Sequence, residues 1–482
     1  VQHWVLVRLP MPRRPRRPSS TDTASPTSLR RRPAQVVTFG FLGAIGTGTA
    51  LLSLPAAATG QRASFVEALF TATSAACVTG LVVVDTETFW SPFGQAVILV
   101  LIQIGGFGVM TVASLLGLLL SRRLGLRSRL VAAESTHSVG LGDVKRVMLG
   151  AFQLTVAAEL LLAIVLTIRL LVAYGESLDH AIWSGVFHSV SAFNNAGFSI
   201  YGDSLMRFVA DPWVCLPICA AVIIGGIGFP VLLELWRLQR AKHGPEQHSL
   251  LRYPSRWSIH TRLTLLTTAA LLTIGTLVFL VVEWSNPRTF GPLDVPGKVL
   301  AAFTQSVMPR TAGFNSVDTA ELNNGTWFFT DILMFVGGGS AGTAGGVKVG
   351  TFAVLAFVIW SEVRGDPDVT VFDRRITHTN QRQALTVALV GVAAVVVPTL
   401  VITVSVAPEV FSLDRVLFEV VSAFSTTGLS TGITADLAPW HQCILVVLMF
   451  LGRLGPITLG TGLAMRERQR MYRRPDSALI IG

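Results

Sequence analysis

Long apolar runs alternate along the chain with shorter ones that stop at a glycine, and several of the long runs reach the ~20 residues a helix needs to cross a bilayer core of about 30 Å. Four of the short runs share one frame. Phe70, Phe187, Phe303 and Phe418 each stand ten residues before a glycine, namely Gly80, Gly197, Gly313 and Gly428, and those glycines are 117, 116 and 115 residues apart. Such regular spacing predicts four tandem copies of one module. Each copy reads as a long apolar helix, a half-span, a turn at the glycine and a second long helix.

The spacing predicts repeats over 36–130, 131–245, 246–370 and 371–470, flanked by a basic tail over 1–35 and a C-terminal tail over 471–482. In the first repeat the long helices fall at 36–54 and 94–120 with the half-span at 65–76. The second repeat has 147–173 and 213–235 with 181–193, and the third has 259–282 and a glycine-broken run over 327–359 with 299–308. The fourth has 384–406 and 441–464 with 416–424. The expected fold is an all-α integral membrane protein, with eight transmembrane helices and four half-spans around a pseudo-fourfold pore.

Composition and charge sharpen this reading. Of 482 residues 51% are hydrophobic and only 14% charged, which excludes a set of soluble domains. The net charge of +10 does not point to nucleic acid, because eight arginines against Asp22 in the first 35 residues carry +7 of it. That tail is read as disordered and cytosolic, touching anionic lipid. It lacks the apolar core of a signal peptide, and Met11 is an alternative start. Twenty-nine Lys and Arg lie in the two tails and the three inter-module links, against five on the opposite side (Arg62, Arg207, Arg288, Lys298 and Arg415). Basic residues favour the cytoplasmic side, so both termini are expected inside and all four half-spans outside. The modules are then parallel repeats, which disfavours the inverted-repeat carriers. Cys77, Cys215, Cys219 and Cys443 form no spaced framework and read as small apolar side chains.

Non-helical backbone is tolerated at membrane depth only inside protein or along water. Four equivalent turns entering from one side therefore suggest a shared pore, in which glycine lets successive carbonyls point at one axis. A carbonyl ring replaces the hydration shell of a potassium-sized cation. The candidate ion-binding residues are Val78, Thr79 and Gly80; Asn195, Ala196 and Gly197; Thr311, Ala312 and Gly313; and Thr426, Thr427 and Gly428. One glycine per loop predicts few ordered ion sites and loose selectivity.

Between Gly337 and Gly346 six of ten residues are glycine, each costing about 1 kcal/mol against alanine in a helix, so the second helix of the third module should break there. Gly337, Gly339 and Gly342 also match a dinucleotide fingerprint with Glu362 twenty residues on, but the strand–helix–strand context is missing. A phosphate-loop reading fails because Val347 separates Gly346 from Lys348. Arg453 holds the register of Gly106, Gly226 and Gly338 inside an apolar run, where a charge should face a pore or water. There it would repel cations from below the turns, the alternative being an arginine satisfied by carbonyls in a purely structural role. Arg169 is expected to snorkel at its helix end. Arg310 should flank the third turn from outside, pinned to carbonyls or Asp318; Asp85, Asp203 and Asp318 read first as solvated loop acids, yet follow their glycines closely enough to draw cations to the mouth. Glu67, His188 and Glu419 should hold the turns by hydrogen bonds, and Glu159 should face a neighbouring module.

Asn-Asn-Ala-Gly-Phe-Ser (194–199), Arg-Thr-Ala-Gly-Phe-Asn (310–315), Gly-Thr-Ala-Gly-Gly-Val-Lys (342–348) and Gly-Arg-Leu-Gly-Pro (452–456) resemble motifs of the Trk/Ktr/HKT superfamily of potassium transporters. The likeness spans about 36–482, and eight spans without an extra N-terminal pair favour its KtrB-like branch over the TrkH branch. It implies potassium uptake across a bacterial cell membrane, with sodium as a second ion and no cofactor in this chain. It also implies a homodimer seated on a cytosolic nucleotide-binding ring of RCK type, related to KtrA and TrkA. An intramembrane gate would comprise Arg453 with Gly337, Gly338, Gly339, Ser340, Gly342, Thr343, Gly345 and Gly346, with Lys348 anchoring the loop. The competing readings are a less selective potassium/sodium channel of the same fold and, in a different class, a membrane enzyme using Glu159 and the histidines. A carrier of another solute would need inverted halves.

Overall fold

The computed structural model describes residues 33–123, 141–240, 257–407 and 409–465. The basic tail through residue 32, residues 466–482 and most of the first two inter-module links lie outside them. Fourteen α-helices occur among the described residues, in four successive sets. The first set is α1 (Pro33–Leu52), the short α2 (Phe65–Ala76) and α3 (Pro92–Arg123), and the second is α4 (Leu141–Tyr174), the short α5 (Leu178–Phe193), α6 (Pro212–Ile227) and α7 (Phe229–Arg240). The third is α8 (Ile259–Glu283), the short α9 (Val295–Val307), α10 (Asn324–Phe335) and α11 (Val349–Arg364), and the fourth is α12 (His378–Ser405), the short α13 (Leu413–Ser425) and α14 (Pro439–Met465). A two-stranded hairpin, β1 (Thr370–Val371) with β2 (Arg374–Arg375), joins α11 to α12.

The short helices are started by local chemistry. Ser64 caps α2 in a capping box with Glu67, and an Asp294 carboxylate oxygen accepts from Gly297 N at 3.0 Å ahead of α9, satisfying amides that a helix start leaves free. Glu67 is thus spent at the far end of its helix and does not hold the turn, contrary to the expectation from sequence. The expected C-terminal ends of the half-spans agree with the helices to within one residue, and three of the four helices start three or four residues earlier than expected.

Polarity is distributed inside out relative to a soluble protein. Val172, Val281 and Val404 on the long helices are 80%, 79% and 79% exposed, whereas Thr79, Thr311, Thr426 and Thr427 are fully buried. An apolar exterior of this extent is a surface for lipid. Among the described residues, three helical stretches are each long and apolar enough to cross a membrane alone, Leu149–Tyr174, Ile259–Glu283 and His378–Ser405.

One departure from the expected elements and one expected break shape the site. The continuous helix expected over 213–235 bends by 96° between α6 and α7, at Gly228 with φ +101°. The cause is tertiary: Gly226 O accepts from Gly339 N at 2.7 Å and Gly225 O from Thr343 N at 3.2 Å, so carbonyls at the end of α6 bond to a neighbouring loop. In the third set the break expected from the glycine run is present, with residues 336–348 forming a loop between α10 and α11. Arg169 does not simply snorkel. Its Nε donates to Asp211 at 2.8 Å, and the Tyr174 hydroxyl donates to the same carboxylate at 2.9 Å. Burial alone would raise the Asp211 carboxyl, but Arg169, Tyr174 and the Trp213 amide outweigh it and hold the group below its ordinary value.

Candidate functional site: a glycine ring above a broken helix

The four short helices end beside one another, and the turns after them close into a ring. A Cβ built on Gly80 would strike Ala196 O and lie 3.1 Å from the Cα of Gly197. One on Gly197 would meet Ala312 O, 2.9 Å from the Cα of Gly313, and one on Gly313 would meet Thr427 O, 3.0 Å from the Cα of Gly428. The circuit closes because a Cβ on Gly428 would meet Thr79 O, 3.0 Å from the Cα of Gly80. All four glycines have positive φ, +92°, +69°, +71° and +95°, a region that side chains disfavour. Two residues earlier Val78, Asn195, Thr311 and Thr426 also have positive φ, from 52° to 67°, although none is glycine. The residue between, Thr79, Ala196, Ala312 or Thr427, does not, so handedness alternates through each turn. Alternation lets successive carbonyls face the same way, and strain at non-glycine residues persists only where the surroundings enforce it.

Serines supply part of that enforcement. Gly80 N donates to Ser74 Oγ and Gly428 N to Ser422 Oγ, each at 3.1 Å, while Ser191 Oγ donates to Phe198 O at 2.7 Å. All three serines sit six residues before their glycine, a spacing by which the sequence marks the braced turns. The third turn has Val307 there instead. Behind the second turn, Asn194 Nδ2 donates to Glu159 Oε1 at 2.9 Å and Gln103 Oε1 at 3.0 Å, so Glu159 does reach the first set, through Gln103 on α3. His188 Nε2 pairs with Ser199 Oγ at 2.9 Å, and Glu419 accepts from Ser430 Oγ, Thr431 N and Thr434 Oγ1 at 2.6 to 2.8 Å. These groups clamp the chain just after its turn.

Outside the ring the four glycines line a mouth of about 370 Å³ together with Asp85 and Asp318. Asp203 is not among its lining residues and pairs with Arg207 at 2.6 Å.

Beneath the ring lies the 336–348 loop. Gly337 N donates to Val347 O at 2.9 Å and Val349 N to Gly338 O at 3.0 Å, which ties its two ends together. Thr343 is central: its hydroxyl donates to Asn195 Oδ1 at 2.7 Å, and its carbonyl accepts from Arg453 Nη1. Arg453 Nη2 also reaches Gly105 O at 3.3 Å. Gly345 packs so closely under Ser425 and Thr426 that a Cβ would lie 2.7 Å from Ser425 O. Gly339 and Gly342 press on the α6 carbonyls Ile227 O and Gly226 O, and Ser340 O sits against Gly228. Gly346 turns the chain with φ +63°, and Lys348 Nζ donates to Ala344 O. Arg310 is not outside the ring, and Asp318 is not its partner. It is 6% exposed and its Nη2 donates to Gly337 O at 3.0 Å, while Asp318 caps a short 3₁₀ turn at Thr319–Glu321. Arg310, Lys348 and Arg453 are therefore held by main-chain carbonyls, with no carboxylate in ion-pair distance among the described residues.

The register inferred for Arg453 has a structural counterpart. Cβ atoms on Gly105, Gly225 and Gly452 would strike Ala76 O, Phe193 O and Phe424 O, the last carbonyls of α2, α5 and α13 or their immediate neighbours. Glycine lets the following helix back directly onto the end of the half-helix, the close approach that small residues permit in membranes. Gly337, at the same register in the third set, meets Gly345 O of the loop instead.

Comparison with known proteins places nearly the whole chain among cation transporters. The family model described as TrkH, cation transport protein, matches residues 21–473. Ktr system potassium uptake protein B of Bacillus subtilis is 39% identical over 94% of this chain and 98% of its own length. The protein of the same name from Vibrio alginolyticus is 36% identical over 93% and 94%, and potassium/sodium uptake protein NtpJ of Enterococcus hirae is 31% identical over 94% and 98%. Among solved structures, the potassium transporter TrkH of Vibrio parahaemolyticus shares the fold with a TM-score of 0.65 at 17% identity, over 94% of this chain and 88% of that one. With a family match over nearly its whole length, a helical fold of that type and relatives aligned end to end, this chain belongs to the TrkH family of cation transport proteins.

Proposed function

We propose that the protein takes up potassium across the bacterial cell membrane through the glycine ring. The observation that carries this reading is the closed circuit in which each ring glycine abuts the carbonyl of the next turn. Carbonyls of Val78, Thr79 and Gly80 and their counterparts in the other three turns replace the ion's water shell. The C-terminal ends of α2, α5, α9 and α13 add the negative pole of the helix dipole. Asp85 and Asp318 raise the local cation concentration at the mouth. The four sets of helices are four repeats over 36–130, 131–245, 246–370 and 371–470, with eight spans around one pore and both termini cytoplasmic. The loop from Gly337 to Gly346 and Arg453 form the gate, because they place a buried positive charge and a packed main chain directly below the ring. Lys348 anchors the loop.

A homodimer on a cytosolic RCK-type ring is the expected assembly, since names of the type "Ktr system" borne by the relatives denote a component of a larger system. A less selective potassium/sodium pathway is the second reading, favoured by a relative named for both ions and by the single glycine per turn. Growth of a potassium-uptake-deficient bacterium at low potassium, with the ring partner supplied, tests the proposal. The unmodified chain should restore growth and Gly313→Ser should not; no rescue by the unmodified chain would sink the potassium reading.

A further inference from the structure

Three residues before each ring glycine stand Cys77, Asn194, Arg310 and Ser425. Arg310 differs from the other three in where its side chain goes. Among the described residues, no side-chain hydrogen bond from Cys77, Asn194 or Ser425 reaches the 336–348 loop, whereas Arg310 Nη2 donates to Gly337 O, the carbonyl at the loop's entry. The third turn is also the one with Val307 in place of the serine that braces the other three. There Gly313 N donates to Met308 O at 3.2 Å instead, and Thr311, at φ +67°, directly follows Arg310, which is anchored to the loop below.

A buried guanidinium that gives up its carbonyl acceptor leaves a charged donor unsatisfied, which is costly in a low-dielectric interior. Displacing Gly337 therefore pulls on Arg310, and Arg310 is covalently joined to the third turn. Arg310 Nη1 and the Thr268 hydroxyl both lack protein partners, and both residues line a cavity of about 20 Å³ together with Gly226 and Gly338. This is room for one water, which would give the guanidinium an alternative acceptor once Gly337 O withdraws.

We propose that Arg310 is a positioning residue that couples ion selection to gating: with the loop closed it holds the third turn in one conformation, and loop displacement releases that turn. The inference rests on the reading of the ring as filter and the loop as gate. Because coupling is reciprocal, ion occupancy at the third turn would bias the loop as much as the loop biases the turn.

The test measures potassium and sodium fluxes of the full chain in liposomes, for the unmodified protein, Arg453→Gln, Arg310→Gln and the double variant. Coupling predicts that Arg453→Gln raises flux and shifts the potassium-to-sodium ratio several-fold, and that the shift is clearly smaller on the Arg310→Gln background, what remains passing through the Asn195–Thr343 hydrogen bond. An equal shift on both backgrounds overturns the proposal and leaves Arg310 a local brace, and so does a ratio that Arg453→Gln does not move. Where Arg310→Gln fails to fold, Arg310→Lys keeps the charge with a single ammonium donor group. Coupling then predicts a smaller shift than with arginine, and an undiminished one overturns it. Failure of the filter reading shows separately, as no potassium flux in either the unmodified protein or Arg453→Gln.

Discussion

The ring and the layer below it are built from the same four sets of helices, yet only the ring repeats. Every turn has the same alternation of φ and the same contact with its neighbour. One level down, α3 runs unbroken, α6 and α7 meet at a 96° bend, α10 and α11 are split by a loop, and α14 brings Arg453 to the Gly105 carbonyl. The lower differences interlock. The α6 bend frees Gly225 and Gly226 carbonyls that the loop takes up, and the loop presents the Thr343 carbonyl that Arg453 takes up. A repeated layer suits a job shared equally by four modules, and a layer whose parts differ suits a switch.

That contrast can be broken most severely at the ring. Gly→Ser at 80, 197, 313 or 428 forces a side chain into the adjoining carbonyl at a backbone angle it disfavours, so each should reduce potassium-selective uptake by about tenfold or more, equivalent to at least ~1.4 kcal/mol. Gly43→Ser, with nothing within 4 Å, is the control and should transport normally. Ion flux across this set sharpens the comparison, because one sensitive position out of four would mean that the ring is not shared equally.

The next largest effect is expected in the lower layer. Arg453→Gln removes the buried charge and the hold on Thr343 O, and should raise basal cation flux several-fold; unchanged flux in a folded protein would make Arg453 purely structural. Smaller again is Glu159→Leu, which takes an acceptor from Asn194 and Gln103 and should lower thermal stability by about 1–3 kcal/mol, the cost of an unpaired buried polar group. The smallest concerns the outer surface. Asp211→Asn should cost about 1 kcal/mol, since Arg169 is partly exposed. With its folded value depressed, Asp211 contributes stability above the ordinary carboxylate range near pH ~4 and loses it as pH falls through the folded value. Melting curves of the variant should therefore show less acid sensitivity than those of the unmodified protein.

What was legible in the sequence follows the same division. The Phe-to-Gly frame locates all four turns, because the frame is local: Phe70, Phe187 and Phe418 are fully buried in their half-helices, and the glycines fall where the turns need them. The break at Gly337–Gly346 is legible because a glycine-rich run makes a poor helix by itself. The bend at Gly228 is not, since one more glycine after Gly225 and Gly226 carries no local signal and the bend is fixed by amides of the loop more than a hundred residues away. Arg310 is pinned to a carbonyl as expected, but to Gly337 O in the loop, an acceptor that exists only because the third set breaks. Strain at Val78, Asn195, Thr311 and Thr426 has no compositional mark, as none is a residue type suited to φ near +60° except Asn195.

The measurement that bears most directly on a selecting ring above a gating layer is paired potassium and sodium flux in liposomes for the unmodified chain, Gly313→Ser and Arg453→Gln. The account predicts that Gly313→Ser lowers the potassium-to-sodium ratio without raising basal flux, and that Arg453→Gln raises basal flux several-fold. A ratio untouched by Gly313→Ser, or a basal flux untouched by Arg453→Gln, would contradict it.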